Sequence, residues 1–273
     1  MKTLKNHLIL FDAECPMCNL YTGAFVRSGL LDANGREAYQ QYSGQSCPNL
    51  DWQRAVNEIA LVNQQTGEVT YGVESLLRVC ANAWPPVATL FRWKISRWLA
   101  QKAYAFISYN RRVIVPASER GFRFQPAFKI HYRIAWLLFT WVVTSAILAN
   151  YTQLLTGVVP PGAFWREFAV CGGQIIFQGI IVAIFQKNKT WDYLGNMMTI
   201  SLMGAVALFI LLTISSWLHL GIWFYAFGFL MVAFLMFLEH LRRTSLLGIR
   251  LLMTITWVLY RVIILLILLW PWI

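Results

Sequence analysis

His7-Leu8-Ile9-Leu10-Phe11-Asp12-Ala13-Glu14-Cys15-Pro16-Met17-Cys18 is the stretch that decides how the first half of this chain folds. The apolar run from Leu8 to Phe11, closed by Asp12, is the pattern of a short buried strand over residues 7–12. From Asn19 to Leu31 the apolar residues Leu20, Ala24, Val26, Leu30 and Leu31 recur at helical spacing, and Gly29 and Asn34-Gly35 end the pattern. Cys15 and Cys18 therefore fall at a strand-to-helix junction.

That junction suits sulfur chemistry. The first turn of a helix has unpaired backbone N–H groups, and with the helix dipole they favour a thiolate. Two intervening residues let Cys18 fold back towards Cys15, as exchange through a mixed disulfide requires. Pro16 fits the first helical turn, where its missing N–H is not needed. Cys15 is the candidate nucleophile and Cys18 the resolving thiol. Asp12 and Glu14 work against a thiolate, because nearby carboxylates raise a thiol pKa; Asp12 is also a candidate buried proton acceptor for Cys18.

Beyond the junction, Asn57 to Asn63 reads as a second strand, Gln65-Thr66-Gly67-Glu68 as a hairpin turn and Val69-Thr70-Tyr71 as the returning strand. A helix is expected over Glu74 to Ala83, followed by an amphipathic helix over 86–109 rich in Trp, Phe and Arg. The order βα…ββα, with Cys-x-x-Cys at the first βα junction, is the thioredoxin-like plan. A zinc or iron–sulfur site would need a second close cysteine pair. Cys47 and Cys80 stand far apart, so no metal and no cofactor are expected. Cys47, before Pro48 in a polar loop, is either a third redox thiol or an ordinary loop cysteine, and Cys80 reads as packing. An odd total of five cysteines argues against a structural disulfide framework.

Charge divides the chain. Residues 1–91 carry six Lys/Arg against eight Asp/Glu, residues 92–133 carry ten against one, and residues 134–273 carry seven against three. The net +11 is thus concentrated just before the first long apolar stretch. A basic arm in that position acts as a cytoplasmic retention signal and attracts anionic lipid; nucleic acid is not expected as a partner. The apolar run near the N-terminus is too short for a secretory signal core, so the front domain is expected to stay in the cytoplasm.

Five stretches, roughly 134–155, 168–185, 193–216, 220–239 and 251–270, are long and apolar enough to span a bilayer. Trp217-Leu218-His219-Leu220 separates the third and fourth as a tight turn. With the basic arm inside, Lys187, Lys189, Arg242, Arg243 and Arg250 also fall inside, and Arg166 beside Glu167 falls outside. The expected protein is multi-pass in the inner (cytoplasmic) membrane, with the N-terminal domain cytoplasmic and the C-terminus external. Arg261 lies about midway along the last span, where a charge is costly, and reads as either a ligand- or quinone-type site or a structural residue. Asp192 and Glu239 lie near span ends, too far to neutralise it directly. Gln174, Gln178 and Asn196 are candidates for hydrogen bonding between helices. His219 and His240 read as turn residues without metal-ligand companions.

Phe11-Asp12-Ala13-Glu14-Cys15-Pro16-Met17-Cys18 resembles the opening of the DCC thiol–disulfide oxidoreductase-like family, whose usual form is aromatic-Asp-Gly-x-Cys-x-x-Cys. Gly72-Val73-Glu74-Ser75-Leu76-Leu77 is similar to that family's second signature, and Tyr109-Asn110-Arg111-Arg112 resembles the close of its domain. The resemblance covers roughly residues 5–115 and implies a thioredoxin-like fold with the two cysteines as its redox pair. Two departures stand out. Ala13 replaces the usual Gly, which implies a tighter or differently shaped turn. No proline lies between Pro48 and Pro85, where many thioredoxin-like proteins hold substrate backbone with a cis-proline.

The expected fold class is therefore an α/β thioredoxin-like soluble domain followed by an all-α transmembrane helical bundle. The domains are 1–115 of DCC type, 116–133 as a basic juxtamembrane linker and 134–273 as the bundle. The expected function is a membrane-anchored thiol–disulfide oxidoreductase with membrane lipid and a protein or small-thiol redox partner. The alternatives are a non-enzymatic scaffold or assembly factor, and a small ligand-binding or transport bundle regulated by the soluble domain.

Overall fold

A computed structural model describes residues 2–43, 47, 50–90, 92–117, 125–218 and 220–270. The chain divides into two compact units, Met1–Tyr132 and Arg133–Ile273.

The first unit is built on β1 (His7–Phe11), whose five residues are all buried. Burial on both faces explains why this strand is continuously apolar rather than alternating. Next come α1 (Pro16–Arg27), β2 (Arg36–Ala38), α2 (Trp52–Asn57), β3 (Ala60–Asn63), β4 (Val69–Tyr71), α3 (Val73–Ala83), α4 (Pro85–Leu90) and α5 (Lys94–Ile114). The four strands form one sheet in the order β2-β1-β3-β4. β2 runs parallel to β1, with Ile9 opposite Arg36; β3 is antiparallel, with Leu8 opposite Val62; β4 closes a hairpin on β3. This mixed sheet with its βα…ββα order is the expected thioredoxin-like arrangement.

Alternation along β1 divides the core in two. Leu8 and Leu10 pack with Tyr39, Tyr42, Cys47 and Val56 on one face. Ile9 and Phe11 pack with Cys15, Cys18, Leu31 and Val79 on the other.

Several boundaries move from the sequence expectation. α1 starts at Pro16, the residue expected in its first turn, with Cys15 as its cap, and it stops at Ser28–Gly29, where Gly29 takes φ +71, short of Leu31. β2 was not expected: Arg-Glu-Ala lacks an apolar pattern and pairs on one side only. Asn57 ends a helix capped by Asp51 instead of opening a strand. The long helix expected over 86–109 is two helices, and the second extends to Ile114. Residues 125–132 pack on this unit: Ala127 N–H donates to Asn57 Oδ1 (2.7 Å), and Tyr132 stacks on Tyr109 at 4.8 Å.

The second unit holds α6 (Ile130–Tyr151, whose first turn lies across the boundary), α7 (Trp165–Phe185), α8 (Thr190–Ser215), α9 (Ile222–Leu246) and α10 (Leu252–Leu269). With short 3₁₀ turns added, these make five candidate membrane spans among the described residues. Inside the unit polar side chains are buried among apolar ones, and its outward side chains are largely apolar, as suits a bilayer solvent. Thr140, Gln178, Asn196, His240 and Thr254 are buried, whereas Ile176, Ile180, Ile184, Phe227, Phe234 and Leu235 are exposed.

Hydrogen bonds tie the spans together. Tyr193 donates to Gln178 Oε1 (2.9 Å) and meets His240 Nε2 (3.2 Å); His240 Nδ1 meets Thr254 (3.1 Å). Arg243 donates to Asn196 and to Glu239. Gln178 and Asn196 thus serve as the inter-helix contacts expected of them, while Gln174 Nε2 has no hydrogen-bond partner among the described residues. His240 is not a turn residue: it lies inside α9, stacked on Trp257 at 4.7 Å. His219 and Pro48 lie outside the described residues. Arg261 is neutralised by neither acid. Its guanidinium lies over the Trp257 ring at 3.7 Å, while Asp192 pairs with Arg133 and Glu239 with Arg242 and Arg243.

Contacts also place the basic residues at one end of this unit. Arg133 at the start of α6 meets Trp191 and Asp192 at the start of α8, and Lys189 bonds Leu247 O at the end of α9. The other end carries the Arg166–Glu167 ion pair.

Candidate functional site

The site is assembled where β1 ends. Cys15 is the N-cap of α1, in extended backbone, and its Sγ accepts a hydrogen bond from Cys18 N–H at 3.3 Å. Sulfur here takes the place that a Ser or Asp oxygen usually fills at a helix start. Pro16 occupies the first turn. Cys18 follows one turn in, with its carbonyl accepting from Thr22 Oγ1 at 2.7 Å and its sulfur hydrogen-bonded to Tyr21. Both cysteines are buried free thiols.

The turn into the helix is held by Asp12. Its Oδ1 accepts from Glu14 N–H (3.0 Å) and Gln40 Nε2 (2.8 Å), and its carbonyl accepts from Cys15 N–H (3.1 Å). Ala13 N–H donates to Gln40 Oε1 at 3.1 Å. Asn6 is the only non-glycine with positive φ among the described residues, so Ala13 takes this turn without left-handed backbone, and glycine is not needed there.

Glycine is needed at Gly72, the start of the second signature. It takes φ +61 before α3, and a Cβ would lie 2.7 Å from Glu58 Oε2 and 3.2 Å from the Tyr104 ring.

One face of α5 closes the site. Tyr104, Ser108 and Arg111 share it by helical spacing. Tyr104 OH accepts from Ile59 N–H (3.1 Å), and Ser108 donates to Asn57 O (2.7 Å). Arg111 NH2 donates to Asp12 Oδ2 (2.9 Å) and Val56 O (3.0 Å). Arg112 pairs with Glu14 at 3.1 Å, and Gln125 also reaches Glu14. Among the described residues the buried Arg111 Nε–H has no hydrogen-bond partner.

These contacts split the two thiols. Cys15 is lowered from the ordinary 9.0 to about 7, chiefly because the Cys18 thiol donates a hydrogen bond to it; burial opposes this, and the Arg111 charge adds to it. Cys18 is pushed up, first by that same hydrogen bond and then by burial. Two carboxylates beside a thiol were expected to oppose a thiolate. Arg111 pairs with Asp12 and Arg112 with both acids, and at Cys15 the Arg111 charge outweighs that of Asp12. The arrangement can hold one sulfur as thiolate and its neighbour as thiol at neutral pH.

Of the residues singled out in the sequence, Cys15, Cys18 and Asp12 come together. Asp12 meets Arg111 and Gln40 through its carboxylate. Cys47 lies in the cluster on the opposite sheet face, its thiol directed to Gly67 O at 3.6 Å, so it does not join the pair. Arg111, Tyr21 and Gln40 were not named as site residues. Arg111 carried a signal, since it stands in the Tyr109–Arg112 motif, but the helix was expected to end before it. Among the described residues no group of three or more His, Cys, Asp or Glu is placed to hold a metal ion.

Residues 9–115 match the family model described as DCC1-like thiol-disulfide oxidoreductase. No curated protein and no solved structure matches the chain. The first unit thus carries a domain of the DCC1-like thiol-disulfide oxidoreductase family, followed along the chain by five candidate membrane-spanning helices.

Proposed function

We propose that this chain is a membrane-anchored thiol–disulfide oxidoreductase in which Cys15 and Cys18 cycle between dithiol and disulfide. The observation that carries this reading is the asymmetric pair itself: Cys15 Sγ held at 3.3 Å by Cys18 N–H, with Cys15 lowered to about 7 and Cys18 raised.

In the reducing direction the Cys15 thiolate attacks one sulfur of a partner disulfide. A Cys15–partner bond forms, and the partner's other sulfur leaves as a thiolate. That thiolate takes up the Cys18 proton. Cys18 then attacks Cys15 Sγ, a Cys15–Cys18 disulfide forms, and the second partner sulfur departs as thiolate. Two electrons pass from the chain to the partner, a protein or a small thiol in its disulfide form. Asp12 is a positioning residue that holds Arg111 beside both sulfurs, and Arg111 stabilises the thiolate.

The basic end of the second unit supports a cytoplasmic placement for the N-terminal domain, by the positive-inside rule. Full-length protein in nanodiscs tests the chemistry. Cys15→Ser is expected to abolish reduction of a disulfide substrate, and Cys18→Ser to trap a mixed disulfide. Equal, undiminished turnover in both variants rules the reading out.

A further inference from the structure

α4 and the start of α5 form a corner of the first unit that its core does not use. Trp84, Trp93, Ile95, Trp98 and Leu99 are 69%, 75%, 73%, 55% and 54% exposed. Ile95, Trp98, Leu99 and Lys102 follow i, i+3, i+4, i+7 spacing, so they share one stripe of α5. Arg92, Lys94, Arg97 and Lys102 are interleaved with the tryptophans, and no Asp or Glu occurs between Glu74 and Glu119. Further along α5, at Tyr104, Ser108 and Arg111, the helix docks on its own domain.

Two hollows lie at this corner. One, of about 350 Å³, is lined by Glu74, Leu77, Arg78 and Ala81 of α3, by Ala88 of α4, and by Arg92 and Arg97. Arg78 is engaged by Glu68 through two hydrogen bonds, which leaves Arg92 and Arg97 as two cations against the one carboxylate of Glu74 for an anion entering there. The other, of about 620 Å³, is lined by Pro85, Pro86, Thr89 and Trp93.

We propose that this corner is an interfacial anchor that lies on an anionic phospholipid leaflet, with Trp93, Ile95, Trp98 and Leu99 entering the headgroup layer and Arg92 and Arg97 holding lipid phosphate. Charge complementarity selects the occupant. A surface with four cations and three tryptophans against one carboxylate, Glu74, matches an anionic leaflet, and tryptophan prefers the headgroup level. Lysine is depleted in protein–protein interfaces but common on interfacial helices. The same chain carries five candidate membrane spans. The anchor is independent of the thiol chemistry.

Hydrogen exchange on the full-length protein tests the anchor, in nanodiscs of phosphatidylcholine alone and of phosphatidylcholine with phosphatidylglycerol. Amides of residues 92–103 are expected to exchange about tenfold more slowly in the anionic discs, with the difference shrinking in high salt. Arg92→Glu with Arg97→Glu removes the dependence on anionic lipid. Trp93→Ser with Trp98→Ser raises exchange in both kinds of disc. These four side chains lie outside the core, so exchange of β1 and β3 stays unchanged and reports an intact fold. Equal exchange in both discs, unmoved by the charge reversal, overturns the proposal. So does protection that rises with protein concentration instead of lipid charge, since a second copy would then be the cover.

Discussion

Arg111 and Asp12 stand 99 positions apart and form a buried ion pair of 2.9 Å, with side chains 5% and 1% exposed. The pair ties the last turn of α5 to the turn that carries Cys15. It also answers a conflict visible in the sequence, where a dithiol expected to ionise sits beside two carboxylates. Burying a charge is costly unless it is paired, and a broken pair leaves that cost uncompensated.

Arg111→Met is therefore expected to destabilise the first unit by up to about 3–5 kcal/mol, because the buried Asp12 loses its 2.9 Å partner and keeps the longer 3.7 Å pairing with Arg112. Asp12→Asn combined with Arg111→Met should cost less than the sum of the two single changes. Chemical denaturation followed by the unit's own signal gives the four values of the cycle. Strict additivity would mean that the two side chains are not energetically coupled.

The reactivity of Cys15 should follow its lowered pKa. The rate of alkylation by a small reagent is expected to reach half its plateau near pH 7, against the ordinary 9.0. Cys18→Ala removes the principal hydrogen-bond donor and moves that midpoint up towards 9, whereas Cys18→Ser keeps a donor and moves it less. Linkage fixes the sign for stability. The favourable term from Cys15 is complete above about 9 and is lost as pH falls through about 7. Cys18, held protonated, acts in reverse and costs stability above its ordinary value of 9.0.

Cys47→Ala should leave the reduction potential of the Cys15–Cys18 couple unchanged. Cys47 packs with Leu8 and Leu10 on one face of β1, and the pair packs with Ile9 and Phe11 on the other. A shifted potential, read by glutathione equilibration, would contradict this separation. The substitution still trims a buried side chain, so a stability loss of about 1 kcal/mol is compatible with it.

In the second unit, Gln178→Leu removes hydrogen bonds to Tyr193 and Thr256, contacts that link α7 to α8 and α10. The expected cost is about 1 kcal/mol, typical of inter-helix hydrogen bonds in bilayers. Ile180→Leu, on an exposed position of the same helix, should cost nothing measurable. Equal effects in a reversible unfolding assay in bicelles would place Gln178 outside the packing.

Local pattern determined much of this protein. The buried strand at 7–12, the cysteines at a strand-to-helix junction, the β3–β4 hairpin and the five apolar helices are each written in a few consecutive residues. Burial periodicity, turn chemistry and bilayer thickness act over just such distances. Tertiary structure decided the rest. Arg-Glu-Ala becomes a strand only because β1 offers it a parallel edge. Cys47 is separated from the pair by a sheet that no local pattern reveals. Arg111 reaches Asp12 only because α5 runs past residue 109 and lays Tyr104, Ser108 and Arg111 on one face. The thiolate at Cys15 is favoured first by Cys18, three positions on, and then by the Arg111 charge, which only the fold brings to it. Coulombic and hydrogen-bond terms follow distance in space, and spacing along the chain does not record it.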